Sequence, residues 1–113
     1  MAIIKSYTDI EQSRKLAEIL PIESADMYWW SSGKRYYIEA MDDGDFNEEE
    51  GHIRAWSLAA LLNALPNGIV MNKDSQNGRY HFSSTHAGTY VTTDNPVDAC
   101  YELIFKLNEL NLL

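Results

Sequence analysis

The sequence predicts one α+β domain spanning residues 1–113, in the order α-β-β-α-β-β-β-α, with an antiparallel sheet whose helices pack mainly on one face. Three observations carry this. Apolar residues recur at helical spacing in three segments bounded by capping or stop signals. Short aromatic or β-branched runs are joined by glycine-containing turns too short for a parallel crossover. Hydrophobic residues make up 45% of 113, enough for a core of this size without metal or disulfide support.

The first helix opens at Thr8-Asp9-Ile10-Glu11, which reads as a capping box with Thr8 as cap and Glu11 reaching back. Ile10, Leu16, Ala17 and Leu20 form its apolar stripe, Arg14, Lys15 and Glu18 fall mostly elsewhere, and Pro21 ends it. Residues 27–30 and 35–40 are aromatic-rich strands separated by Ser31-Ser32-Gly33-Lys34, a hairpin loop. Residues 53–65 read as a second helix, the central and most buried one. It carries Trp56, Leu58, Leu61, Leu62 and Leu65 among four alanines and stops at Pro66-Asn67-Gly68.

Residues 69–72, 79–84 and 89–93 then form a three-stranded meander, divided by Asn77-Gly78 and by a turn near Ala87-Gly88. The last helix begins at Asp94-Asn95-Pro96. Asn95 supplies the cap, Pro96 suits the first helical position, and Asp98 sits favourably on the N-terminal dipole. Val97, Cys100, Tyr101, Ile104 and Leu107 mark its buried face. Cys100, the sole cysteine, has no internal disulfide partner and reads as a small core residue.

Charge is concentrated. Seven of the seventeen acids, Glu39, Asp42, Asp43, Asp45, Glu48, Glu49 and Glu50, fall in residues 39–50, which hold no Lys or Arg. The remaining ten acids nearly balance nine bases, so the net charge of -8 belongs almost wholly to one segment. Such a balance points away from nucleic acid, and one acidic loop is a poor imitation of phosphates spread along a duplex. No run approaches the length of a bilayer span, and the N-terminal residues lack a leader pattern, so a cytoplasmic protein is expected.

Motifs for chemistry are sparse. Asp43, Asp45 and Asn47 alternate like EF-hand ligands, but the sixth loop position is Glu48 rather than Gly and the twelfth is Arg54 rather than Glu. His81 and His86 stand five apart without Cys or carboxylate at ligand spacing. Neither a nucleophile elbow nor a phosphate-cradling glycine loop occurs, so no catalytic residue and no cofactor is assigned.

The hairpin is more informative, because successive strand side chains point to opposite faces. Trp29 and Trp30 therefore diverge, and Arg35, Tyr37 and Glu39 share one face while Tyr36, Ile38 and Ala40 share the other. Either a bulky aromatic face is left partly exposed or the acidic loop folds over it.

Two segments carry a resemblance: Trp56-Ser57-Leu58-Ala59-Ala60-Leu61-Leu62 up to Leu65-Pro66, and Asp94-Asn95-Pro96-Val97-Asp98-Ala99-Cys100 with its following leucine-rich helix. They resemble a family of short bacterial proteins, also carried by phages and other mobile elements, of unknown function. The likeness runs from the first helix, through Leu16-Ala17-Glu18-Ile19-Leu20-Pro21 and Ser24-Ala25-Asp26-Met27, to the C-terminus, and does not extend to the loop Asp42 to Gly51 or the region Lys73 to Ser84. Its matching positions are stripes, caps and terminators, so it implies the architecture and transfers no site residue.

The expected function is non-catalytic protein contact. The surface would comprise Trp29, Trp30, Tyr37, Asp42, Asp43, Asp45 and Glu48, and the partner a basic protein surface or a second copy. An alternative is a divalent-metal protein or metal-dependent enzyme using Asp43, Asp45 and His52.

Overall fold

The computed structural model describes residues 5–41 and 44–113. Its elements are α1 (Ile10–Leu16), β1 (Met27–Ser31), β2 (Tyr36–Ala40), β3 (Ile53–Ala55), α2 (Leu58–Ala64), β4 (Ile69–Lys73), β5 (Tyr80–Ser84), β6 (Thr89–Thr93) and α3 (Pro96–Glu109). The α+β class and the predicted succession of helices, hairpin and meander are found, with β3 added. All pairing is antiparallel, but the strands divide into two sheets of three, β2-β1-β3 and β4-β5-β6, rather than one.

β3 corrects the sequence reading most sharply. Residues 53–55 lie in the part assigned to the second helix, yet Ile53 and Ala55 pair with Trp29 and Met27. Ile53 is β-branched, and pairing an otherwise open edge of β1 outweighs a helical period that three residues barely define. The helix starts later because Ser57 caps it, its hydroxyl accepting from the Ala60 amide at 3.2 Å. The Asp26 carboxylate accepts in turn from the Ser57 amide at 2.8 Å and from its hydroxyl, joining the root of β1 to the start of α2.

Nor is α2 the most buried helix, since Leu61 alone on it is fully enclosed. That place belongs to α3, where Pro96, Val97, Ala99, Cys100, Leu103, Ile104 and Leu107 are buried. Its start follows the reading: Asn95 Oδ1 accepts from the Asp98 amide at 2.9 Å with Pro96 next. Its end is a Schellman closure, with Asn111 at φ 58 and bonds from the Leu112 amide to the Leu107 carbonyl (2.9 Å) and from the Asn111 amide to Asn108 (3.1 Å).

The cap of α1 shifts by one residue. Asp9 accepts from the Gln12 amide at 2.8 Å and Gln12 returns to the Asp9 amide, so the box is Asp9–Gln12 and the helix ends well before Pro21. Thr8 is thereby free to turn inward. Its hydroxyl is buried, 2.7 Å from that of Ser13, and accepts from the Trp56 amide at 3.1 Å.

Leu16, Trp56, Leu61, Phe82, Val91 and the α3 stripe make one continuous core. α3 lies on β5 and β6, α2 lies against α3, and α1 lies on β3. No residue of β1 or β2 is among the buried members of that core. The hairpin sheet therefore hangs from the domain by its β3 side, which keeps one of its faces away from the helices.

The Asn77-Gly78 turn is longer than the two-residue hairpin its dipeptide suggests. The Asp74 carbonyl accepts from the Gly78 amide at 2.9 Å, and the Asp74 carboxylate accepts from the Gln76 and Asn77 amides. Those bonds favour the ionised carboxylate and hold Asp74 below its ordinary pKa. No helix among the described residues is long and apolar enough to cross a membrane.

Candidate functional site

Strand parity decides what the hairpin presents. The β1–β2 register is unbroken, with Trp29 opposite Ile38 and Trp30 opposite Tyr37, so the two indoles do diverge. Trp29 faces the chain preceding α1, where its Nε1 donates to the Thr8 carbonyl at 3.1 Å and its ring packs edge-to-face with Tyr7, centroids 5.6 Å apart. Trp30 lies on the other face, stacked on Tyr37 with centroids 4.7 Å apart and planes 26° from parallel. Tyr37 is 38% exposed and Trp30 half-buried. The Trp30 indole Nε1 is itself enclosed and, among the described residues, meets no acceptor.

The acidic segment reaches this face but covers only part of it. Glu48–Glu50 form a 3-10 turn, opened by Asn47, whose Oδ1 accepts from the Glu49 amide at 2.9 Å, and closed by Gly51 at φ 85. His52 then turns back. Its Nδ1 accepts from the Asn47 amide at 3.0 Å, which leaves the ring proton on Nε2, 3.8 Å from Glu50.

The His52 ring stacks on Tyr28 with centroids 5.1 Å apart, and Phe46 and Tyr28 pack edge-to-face with centroids 5.8 Å apart. Beneath them Tyr28 is 4% exposed and donates its hydroxyl to Glu39 at 3.0 Å. Arg54 fixes the far side of the segment through a 2.8 Å ion pair with Glu48. Both outcomes that alternation allowed are thus present: the loop seals Tyr28, while Tyr37 stays exposed beside a half-buried Trp30.

The expected residues are not all gathered. Trp29 is on the opposite face, and Asp42 and Asp43 lie outside the described residues. Glu48 is committed to Arg54, whereas Asp45 and Glu49 are exposed and carry no ion pair among the described residues. The sequence reading does not join Tyr28, Phe46 and His52, which the fold brings into ring contact. Phe46 is the sequence signal for this contact, being the one aromatic residue inside the acidic window.

Among the described residues no three His, Cys, Asp or Glu side chains converge as a metal site would require, and of the alternative set Asp43 lies outside them. His81 bonds Thr92 at 2.9 Å and leans on Tyr90 at 5.2 Å, while His86 sits exposed in the β5–β6 turn. Cys100 is fully enclosed, and burial pushes its thiol up to about 12, far from nucleophilic use.

Compared with known proteins, the chain matches no family model, no curated protein and no solved structure.

Proposed function

We propose that this domain acts by protein contact, docking a basic surface of a partner protein against the Trp30–Tyr37 face and the neighbouring acidic segment. The observation that carries this reading is the stacked ring pair, Tyr37 exposed and Trp30 half-buried, on the face of the hairpin sheet where Phe46 and His52 cover Tyr28. Rings already held together lose little side-chain entropy on binding, and Trp and Tyr are the residues that most often dominate interface energetics.

Charge supplies the preference. Glu39 lies on the same face as Tyr37, and Asp45 and Glu49 stand exposed in the adjoining segment. A partner Arg or Lys would gain cation-π and ion-pair contacts together. Arg35, at the turn end of the same face, orients the encounter by repelling a basic surface from that side.

The test is a pull-down with the chain and with a Trp30→Ser, Tyr37→Ser double variant. Basic proteins captured by the first and lost with the second support the reading. An identical captured set from both removes it.

A further inference from the structure

β4 is an edge strand: it pairs with β5 and with no other strand among the described residues. Its register shows which of its backbone groups are unused. The Asp74 amide bonds the Arg79 carbonyl at 2.8 Å and the Thr85 amide bonds the Gly68 carbonyl at 3.0 Å. In an antiparallel ladder the bonded pairs alternate, so Val70 and Asn72 turn their N–H and C=O toward β5. Ile69, Met71 and Lys73 turn theirs outward.

The side chains of those same residues fall on the face shared with Phe82 and Val91, the inner face of the meander. Between that edge and α2 runs a mostly apolar groove of about 400 Å³ lined by Leu58, Leu62, Met71, Tyr80, Phe82 and Pro96 together with Asn72 and Lys73. Met71 is 51% exposed and Leu62 36%. Lys73, the one charge on the strand, has its Nζ 5.4 Å from the Tyr80 ring centroid and so lies back over its own sheet. An apolar, unpaired strand edge of this kind is what proteins ordinarily blunt with charge.

We infer that β4 is a self-association edge, pairing antiparallel with β4 of a second copy about a two-fold axis at Met71. The open groups sit symmetrically about Met71, so Met71 falls opposite its own counterpart and Ile69 opposite the second Lys73. Every outward N–H and C=O then meets a partner, and the two lysines are kept apart. The two meanders become one continuous sheet, and the grooves beside α2 meet at the axis.

Electrostatics selects a second copy over a charged partner. Residues 55–72 hold no Asp, Glu, Lys or Arg, an uncharged strip in a chain of net charge -8. Two such acidic chains repel through most approaches but meet here without opposing their carboxylates, and a charged partner finds on the strand only Lys73, which lies over Tyr80. The acidic segment and the Trp30–Tyr37 pair belong to the other sheet, so this edge is independent of the proposed partner surface.

Sedimentation over a concentration series tests the inference. The expected mass at high concentration is twice the chain's 12.9 kDa. Met71→Pro removes an outward N–H without touching the β4–β5 ladder, a position where an edge strand tolerates proline. It should give a folded monomer, while Trp30→Ser should remain dimeric. Should Met71→Pro fail to fold, Met71→Lys decides instead, with the same monomer expected. Amide exchange adds an independent reading, with the Ile69, Met71 and Lys73 amides slowing as the dimer forms. A wild-type chain monomeric throughout, a dimer surviving in folded Met71→Pro or Met71→Lys, or a dimer abolished by Trp30→Ser each overturns it.

Discussion

Trp30 and Tyr37 stack at 4.7 Å across a directly opposed pair of strands, although neither belongs to the continuous core. Their partnership is local to the hairpin, so its removal should be mild. Trp30→Ser and Tyr37→Ser are each expected to cost about 1 kcal/mol in urea unfolding, with the double variant costing less than the sum. A loss comparable to that of a core aromatic would show instead that the pair supports the fold.

Thr8 has the opposite standing. Its hydroxyl is fully buried and serves both the Ser13 hydroxyl and the Trp56 amide. Thr8→Val keeps the shape but orphans both groups, and should lower stability by about 1–3 kcal/mol. Thr8→Ser retains the hydroxyl and should recover most of that loss in the same denaturation measurement.

Asp98 ties three segments together. Burial alone would raise its pKa, but bonds from Lys5, Gln12 and Asn95 and the Lys5 charge outweigh it and hold the carboxyl below the ordinary 3.8. A group depressed in the folded state stabilises it above the unfolded pKa, and that contribution is lost as pH falls through the folded value. Asp98→Asn should therefore be less stable than wild type at neutral pH, by about 1 kcal/mol because the site is partly exposed. The gap should narrow only once the pH drops below 3.8. Melting temperatures across an acid series check this, and a gap unchanged down to the lowest pH would count against it.

Cys100 should be chemically silent in the folded chain. With its thiol enclosed and pushed up to about 12, alkylation at mildly alkaline pH is expected to proceed only through unfolding. Denaturant should accelerate labelling by orders of magnitude, as mass spectrometry would show. Rapid modification of the native chain would contradict the burial.

Much of this molecule is written in local chemistry. Caps such as Asn95-Pro96, the stripe on α3 and the alternating aromatic strands depend on neighbours within a few residues, so their patterns survive in one dimension. Alternation alone also set Trp29 and Trp30 on opposite faces, because the pleat has a period of two regardless of what packs on it. Tertiary structure decided the rest. Only long-range pairing could recruit residues 53–55 into a strand and split the sheet in two. Only the fold could bring Phe46 and His52 over Tyr28, leave Tyr37 exposed beside a half-buried Trp30, and make α3 rather than α2 the centre of the core. Those outcomes turn on which surfaces compete to be buried, a comparison among distant segments that no short window of residues contains.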